Sequence, residues 1–82
     1  MKYIVYVLRS LEKGKLYTGQ TNDLKRRLVE HNRGISGSYT NKKGPYILVY
    51  KEEYNTRIEA VDREKWLKSS IGRRYLKTVI NK

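Results

Sequence analysis

Two hydrophobic periodicities alternate along this chain. "KYIVYVLR" (residues 2–9) is β-branched and aromatic with no polar alternation, which suits a central strand covered on both faces. "KLYTG" (15–19) is a second short strand. The intervening "SLEKGK" reads as a turn in which Gly14 takes positive φ, so the two strands form a hairpin. "TNDLKRRLVEHNRG" shifts to helical spacing, with Thr21 or Asn22 as N-cap and Gly34 as the stop. "ISGSYTNKKGP" (35–45) is a polar, glycine-rich loop, and "YILVYKEEY" (46–54) is a third strand. "TRIE" opens a second helix through a Thr56–Glu59 capping box and runs to about Ser69. "IGRRYLKTVI" adds a last helix packing through Leu76, Val79 and Ile80. The order β-β-α-β-α-α predicts an α/β fold, a small antiparallel sheet covered by helices.

Polar residues interrupt both apolar helix stripes. At about 100° per residue, Leu24, Leu28 and His31 share one face with Arg27 beside them, while Lys25, Arg26, Val29 and Glu30 fall elsewhere. An arginine on a sheet-facing stripe needs a partner or a cleft, or a stem that snorkels past Leu28. On the second long helix, Ala60, Val61, Glu64, Leu67 and Ile71 form the stripe, with Glu64 at its centre and Arg63 and Lys65 pointing away. An inward carboxylate is costly unless it is paired, with Lys68 or Arg27, or bound to metal.

Composition narrows the choice. A chain of 82 residues predicts a single domain over residues 1–82. No cysteine is present, which removes disulfides and thiolate metal sites, and a single histidine excludes a structural zinc site. No segment is apolar enough to span a membrane, and the N-terminus reads as a strand rather than a leader, so the expected location is cytoplasmic with no membrane partner. The net charge of +11 is spread along the whole chain and points to a polyanionic partner, nucleic acid above all.

These residues make a plausible phosphodiester site. Glu64 can hold one hard divalent cation, Mg²⁺ or Mn²⁺, with waters filling the other positions. Arg27 can grip two phosphate oxygens. A phenol, Tyr17 or Tyr6, or the His31 imidazole can accept the proton of an attacking water. Tyr17 is the first choice, because the chain leaves the sheet for the helix two residues later, at Gly19. Tyr6 is then the supporting phenol. No second carboxylate falls in an obvious stripe, which disfavours a two-metal site. Lys42 and Lys43, in the loop after Tyr39, are expected to grip the phosphate backbone.

The ordered set resembles the GIY-YIG nuclease family. "IVY" (4–6) stands for its first motif and "YTG" (17–19) for its second; "NDLKRRLVEH" matches its arginine helix, and "RIEAVDREKWLK" matches its later helix. The resemblance covers essentially the whole chain and is closest to small stand-alone bacterial members, whose ending is similar to "LKSSIGRRYLK". Ile4 stands where the name-giving glycine would be, and Thr18 where the second motif has isoleucine. The resemblance implies a three-stranded antiparallel sheet flanked by helices. It also implies single-metal hydrolysis of DNA, with Arg27 as the catalytic arginine, Glu64 as the metal-binding glutamate and Tyr6, Tyr17, Gly19 and His31 completing the site.

The leading expectation is a metal-dependent DNA endonuclease acting in repair or recombination. Two alternatives stay open on the same fold: a catalytically weak nucleic-acid-binding module, and a nuclease subunit that depends on a protein partner for specificity.

Overall fold

A computed structural model describes residues 2–11, 14–33 and 45–80. Its elements are β1 (Tyr3–Ser10), β2 (Leu16–Thr21), α1 (Leu24–Arg33), β3 (Tyr46–Tyr54), α2 (Arg57–Lys68) and α3 (Ser70–Ile80). The three strands form one antiparallel sheet in the order β2-β1-β3. The central place of β1 accounts for its unbroken hydrophobicity, because each face meets a different layer. Val5 and Val7 join Ala60, Leu67 and Leu76 under α2 and α3, while Tyr6 and Leu8 join Tyr46 and pack with Leu24 and Leu28 of α1.

Turn and cap chemistry sets the element boundaries. Gly14 has φ +72° and donates its N–H to the Ser10 carbonyl at 2.7 Å, closing the β1–β2 hairpin. The expected cap of α1 is corrected. Thr21 is held in the ladder opposite Ile4, and the cap falls to Asp23 instead. The Asp23 carboxylate accepts from the Arg26 N–H at 3.1 Å, its carbonyl accepts from Arg27 N–H, and the Thr21 hydroxyl accepts from Asp23 N–H. An acid there also opposes the positive helix end. Gly34, the expected stop, lies outside the described residues.

Thr56 caps α2 as expected: its hydroxyl oxygen accepts from the Glu59 N–H at 3.2 Å and donates to the Glu59 carboxylate at 2.9 Å. The chain then turns at Ser69. The Ser69 N–H and hydroxyl donate to the Trp66 carbonyl, and its Oγ accepts from the Gly72 N–H. This corner corrects the placement of Ile71, which belongs to α3 and is 62% exposed rather than buried in the α2 stripe. The two helices meet so closely that a Cβ on Gly72 would lie 2.0 Å from the Trp66 carbonyl oxygen.

A bulge in β3 has a larger consequence. Val7 pairs with Tyr50 but Leu8 pairs with Leu48, so Val49 is the extra residue. Beyond it, Tyr50, Glu52 and Tyr54 lie opposite Val7, Val5 and Tyr3, on the face covered by α2 and α3. Glu52 is the second inward carboxylate that sequence reasoning did not place. Both phenols donate to it, Tyr54 at 2.6 Å, and Arg63 of α2 donates Nε and Nη2 to its two oxygens at 2.9 and 3.1 Å. Arg63, expected to point away, instead reaches back to the sheet and stacks over Trp66, 4.2 Å from the ring centroid, with Tyr75 alongside.

Burial alone would raise the Glu52 carboxyl, but the hydrogen bonds from Arg63, Tyr50 and Tyr54 together hold it below the ordinary carboxylate range. Burial, and then the hydrogen bond to Glu52, pushes the Tyr54 phenol up to about 12. A depressed carboxyl stabilises the fold above its unfolded pKa and loses that contribution as pH falls through the folded value. A raised phenol stabilises below its unfolded value and loses that contribution as pH climbs toward 12. Thermal unfolding followed by circular dichroism should therefore show a plateau between about pH 5 and pH 10, with losses on both sides. Glu52→Gln is expected to lower the plateau by about 1–2 kcal/mol. Its gap to the wild type should narrow as pH falls through the depressed folded value of Glu52, where the wild-type carboxyl takes up its proton too.

Candidate active site

Tyr6 is the point on which three elements converge. It projects from β1 toward the α1 layer, is only 5% exposed and stands opposite Gly19 of β2. A Cβ on residue 19 would lie 2.5 Å from the Tyr6 hydroxyl oxygen and 2.7 Å from Cζ. The phenol therefore crosses the neighbouring strand where that strand has no side chain, and glycine is required there for close approach.

Three charges act on this phenol. Burial raises its pKa, the Arg27 guanidinium of α1 pulls it down, and the carboxylates of Glu64 on α2 and Glu30 on α1 push it up again. The net direction is upward, so Tyr6 is a protonated hydrogen-bonding group at neutral pH. Of the predicted set, Tyr6 and Gly19 are in contact, and the charges of Arg27 and Glu64 act on the Tyr6 phenol.

Arg27 sits at the rim, with its side chain 37% exposed and 3.5 Å from Glu30. Glu30 was expected on another face. It reaches Arg27 because residues three apart are neighbours on a helix, and it also lies 3.9 Å from Arg26. Glu64 is 20% exposed, and its Oε2 accepts from Lys68 Nζ at 2.6 Å, one of the two pairings open from sequence. Tyr17 packs edge-on against Tyr46, with ring centroids 5.4 Å apart at 87°, and its hydroxyl oxygen is closed to solvent. His31 lies in the last turn of α1, but its side chain is outside the described residues, as are Lys42 and Lys43.

The donor set can be tested against a metal ion. Among the described residues, no three His, Cys, Asp or Glu side chains gather as a cage. The site offers Glu64, with Lys68 bound to one of its oxygens, while the other carboxylate that acts on Tyr6, Glu30, is paired with Arg27. That set fits a hard cation which keeps most of its waters and completes its shell with substrate phosphate, as Mg²⁺ does, and fits a dedicated calcium or zinc site poorly.

Comparison with known proteins extends these findings. Residues 2–76 match the GIY-YIG catalytic domain family. A UPF0213 protein of Staphylococcus saprophyticus is 35% identical over 78 residues, covering 95% of this chain and 94% of that protein. One from Staphylococcus epidermidis is 37% identical over the same length and coverage. The solution NMR structure of a UPF0213 protein from Bacillus halodurans superposes with a TM-score of 0.58 at 32% identity, covering 95% of this chain and 84% of that one.

The glycine at position 19 gives a direct check on the phenol's placement. Gly19→Ala is expected to lower stability by about 1–3 kcal/mol through overpacking against a ring that has little room to move. Tyr6→Leu in the same chain should recover part of that loss, measured as a double-mutant cycle in denaturant. Strict additivity of the two changes would mean that the contact is not made in solution.

Proposed function

The chain belongs to the GIY-YIG family, and on that premise we propose that it is a Mg²⁺-dependent endonuclease that hydrolyses phosphodiester bonds in DNA, serving repair or recombination in the cytoplasm. The observation that carries this reading is the Tyr6 phenol laid across Gly19 of the neighbouring strand, with the charges of Arg27 and Glu64 acting on it. A protein that only bound nucleic acid would gain nothing from a carboxylate facing the phosphate.

Arg27, at the rim and half-exposed, grips two oxygens of the scissile phosphate and leaves its loose 3.5 Å contact with Glu30 to do so. Glu64 would hold the cation, which would supply charge neutralisation and acidify a bound water. Lys68 fixes the Glu64 carboxylate from the adjacent helical turn. Tyr6 keeps its proton at neutral pH and donates a hydrogen bond toward the reacting phosphate. His31 takes the role of proton acceptor in place of Tyr17, whose hydroxyl is closed to solvent, and Lys42 and Lys43 hold flanking backbone. No described helix is long and apolar enough to cross a membrane.

Two substitutions test this assignment. Glu64→Gln is expected to abolish Mg²⁺-dependent cleavage while leaving DNA affinity within about twofold; cleavage at the wild-type rate would make Glu64 a structural partner of Lys68 only. Arg27→Lys keeps the charge but loses the fork, and single-turnover cleavage should slow by on the order of 10²–10³. Full activity in the lysine variant would show that charge alone suffices there.

A further inference from the structure

Charge is unevenly matched along this chain. No Asp or Glu follows Glu64, so α3 is without an acid, while it carries Arg73, Arg74 and Lys77. The other two helices have acids that take up cations: Glu30 pairs with Arg26 and Arg27, and Glu64 with Lys68. Arg63 is taken by Glu52 of β3. Among the described residues, the side chains of Arg73, Arg74 and Lys77 enter no ion pair, hydrogen bond or ring contact. All three are exposed. They fall within one arc of about 100°, and Lys77 stands about 6 Å along the axis from Arg73. Like charges four apart on a helix repel, and no described carboxylate offsets that repulsion, so the pair gains from an outside anion.

The inner side of α3 decides which anion. Leu76 is buried in the core, and Tyr75, Val79 and Ile80 pack against it. An anionic lipid surface needs an apolar face free to enter it, and α3 has committed that face to the sheet. Among the described residues, Ile71 is its one exposed large apolar side chain. An acid-free row of cations without an apolar surround suits a repeating phosphate backbone. The row also lies apart from Arg27. α3 packs with Val5 and Val7 on one face of the sheet, whereas α1 packs with Tyr6 and Leu8 on the other.

We propose that the outer face of α3 is a docking surface for the phosphate backbone of duplex DNA, separate from the phosphate grip at Arg27. The inference rests on the nucleic-acid partner of the reading above and deepens it: the chain holds DNA on both sides of its sheet. The contact on α3 is to phosphate, so it reads no sequence. Three neutralised phosphates contribute about 2.7 to the slope of log affinity against log salt.

The test is fluorescence anisotropy with labelled duplexes of unrelated sequence over a salt series. The variants are Lys77→Gln, then Arg73→Gln with Lys77→Gln, then both with Arg74→Gln. Glutamine suits an exposed helix position, so α3 keeps its fold. The control, Lys2→Gln with Arg57→Gln, removes as much charge as the double variant where β1 and α2 begin. Lys77 shares a cleft with Arg9, at the far end of β1 from Lys2. The slope is expected to fall by about 0.9, 1.8 and 2.7 in turn, equally for each sequence, while the control stays close to the wild type. An unchanged slope in the three variants, or a loss in the control equal to that of the double variant, would overturn the surface and leave the nuclease reading standing. Sedimentation of the wild type with phosphatidylserine vesicles that the triple variant loses, with no change of slope on DNA, would overturn it in favour of a lipid partner. A wild type that binds no duplex at all would overturn both readings.

Discussion

The fork between Arg63 and Glu52 sets the rotation of α2, and most of the molecule depends on that rotation. Two parallel hydrogen bonds at 2.9 and 3.1 Å fix a planar guanidinium on a planar carboxylate, so the helix cannot roll without breaking both. Rolled as it is, α2 buries Ala60 and Leu67 on Val5 and Val7. The same rotation turns the next residue, Glu64, toward the Tyr6 end of the sheet. A charged pair in this position does little for stability through charge alone. Its use is directional, because an aliphatic contact would tolerate a range of helix angles and this one does not. Tyr50, Tyr54, Trp66 and Tyr75 pack around the pair, and the Tyr50 and Tyr75 hydroxyls meet at 3.0 Å, so the network also ties α3 to β3.

The site itself is built across a seam. Its phenol comes from a strand buried on both faces, where polar groups are costly, and its charged groups come from helices in different layers. What reconciles them is the missing side chain at Gly19, which lets the Tyr6 ring lie over the edge strand and bring its hydroxyl near Arg27 and Glu64. The rigid strand fixes the neutral member of the set. The charged members stay partly exposed, in ion pairs with Glu30 and Lys68.

The elements were legible in the sequence because each carries its own signal: the unbroken β-branched run of β1, the glycine in the hairpin, the Thr56 cap and the helical spacing of Leu24 and Leu28. Membership of the GIY-YIG family, read from the ordered motifs, agrees with the match over residues 2–76. The errors have physical causes. Thr21 looked like a helix cap because its type suits one, but sheet pairing claimed it first. Ile71 looked like a continuation of the α2 stripe because periodicity does not register a one-residue corner, and the signal for that corner was Ser69 with Gly72 three residues on. Glu52 was missed because a carboxylate in a strand next to another reads as solvated. The alternation Tyr50, Glu52, Tyr54 could have revealed it, since it puts an acid between two phenols on one face.

The most direct measurement is cleavage by the purified wild-type chain of branched, nicked, single-stranded and duplex DNA and of matching RNA, with Mg²⁺, with Mn²⁺ and with the metal chelated. The expected result is cleavage of at least one DNA form that requires the divalent ion and vanishes on chelation. Tight binding to these substrates with no cut in any of them, or cleavage of RNA alone, would contradict it.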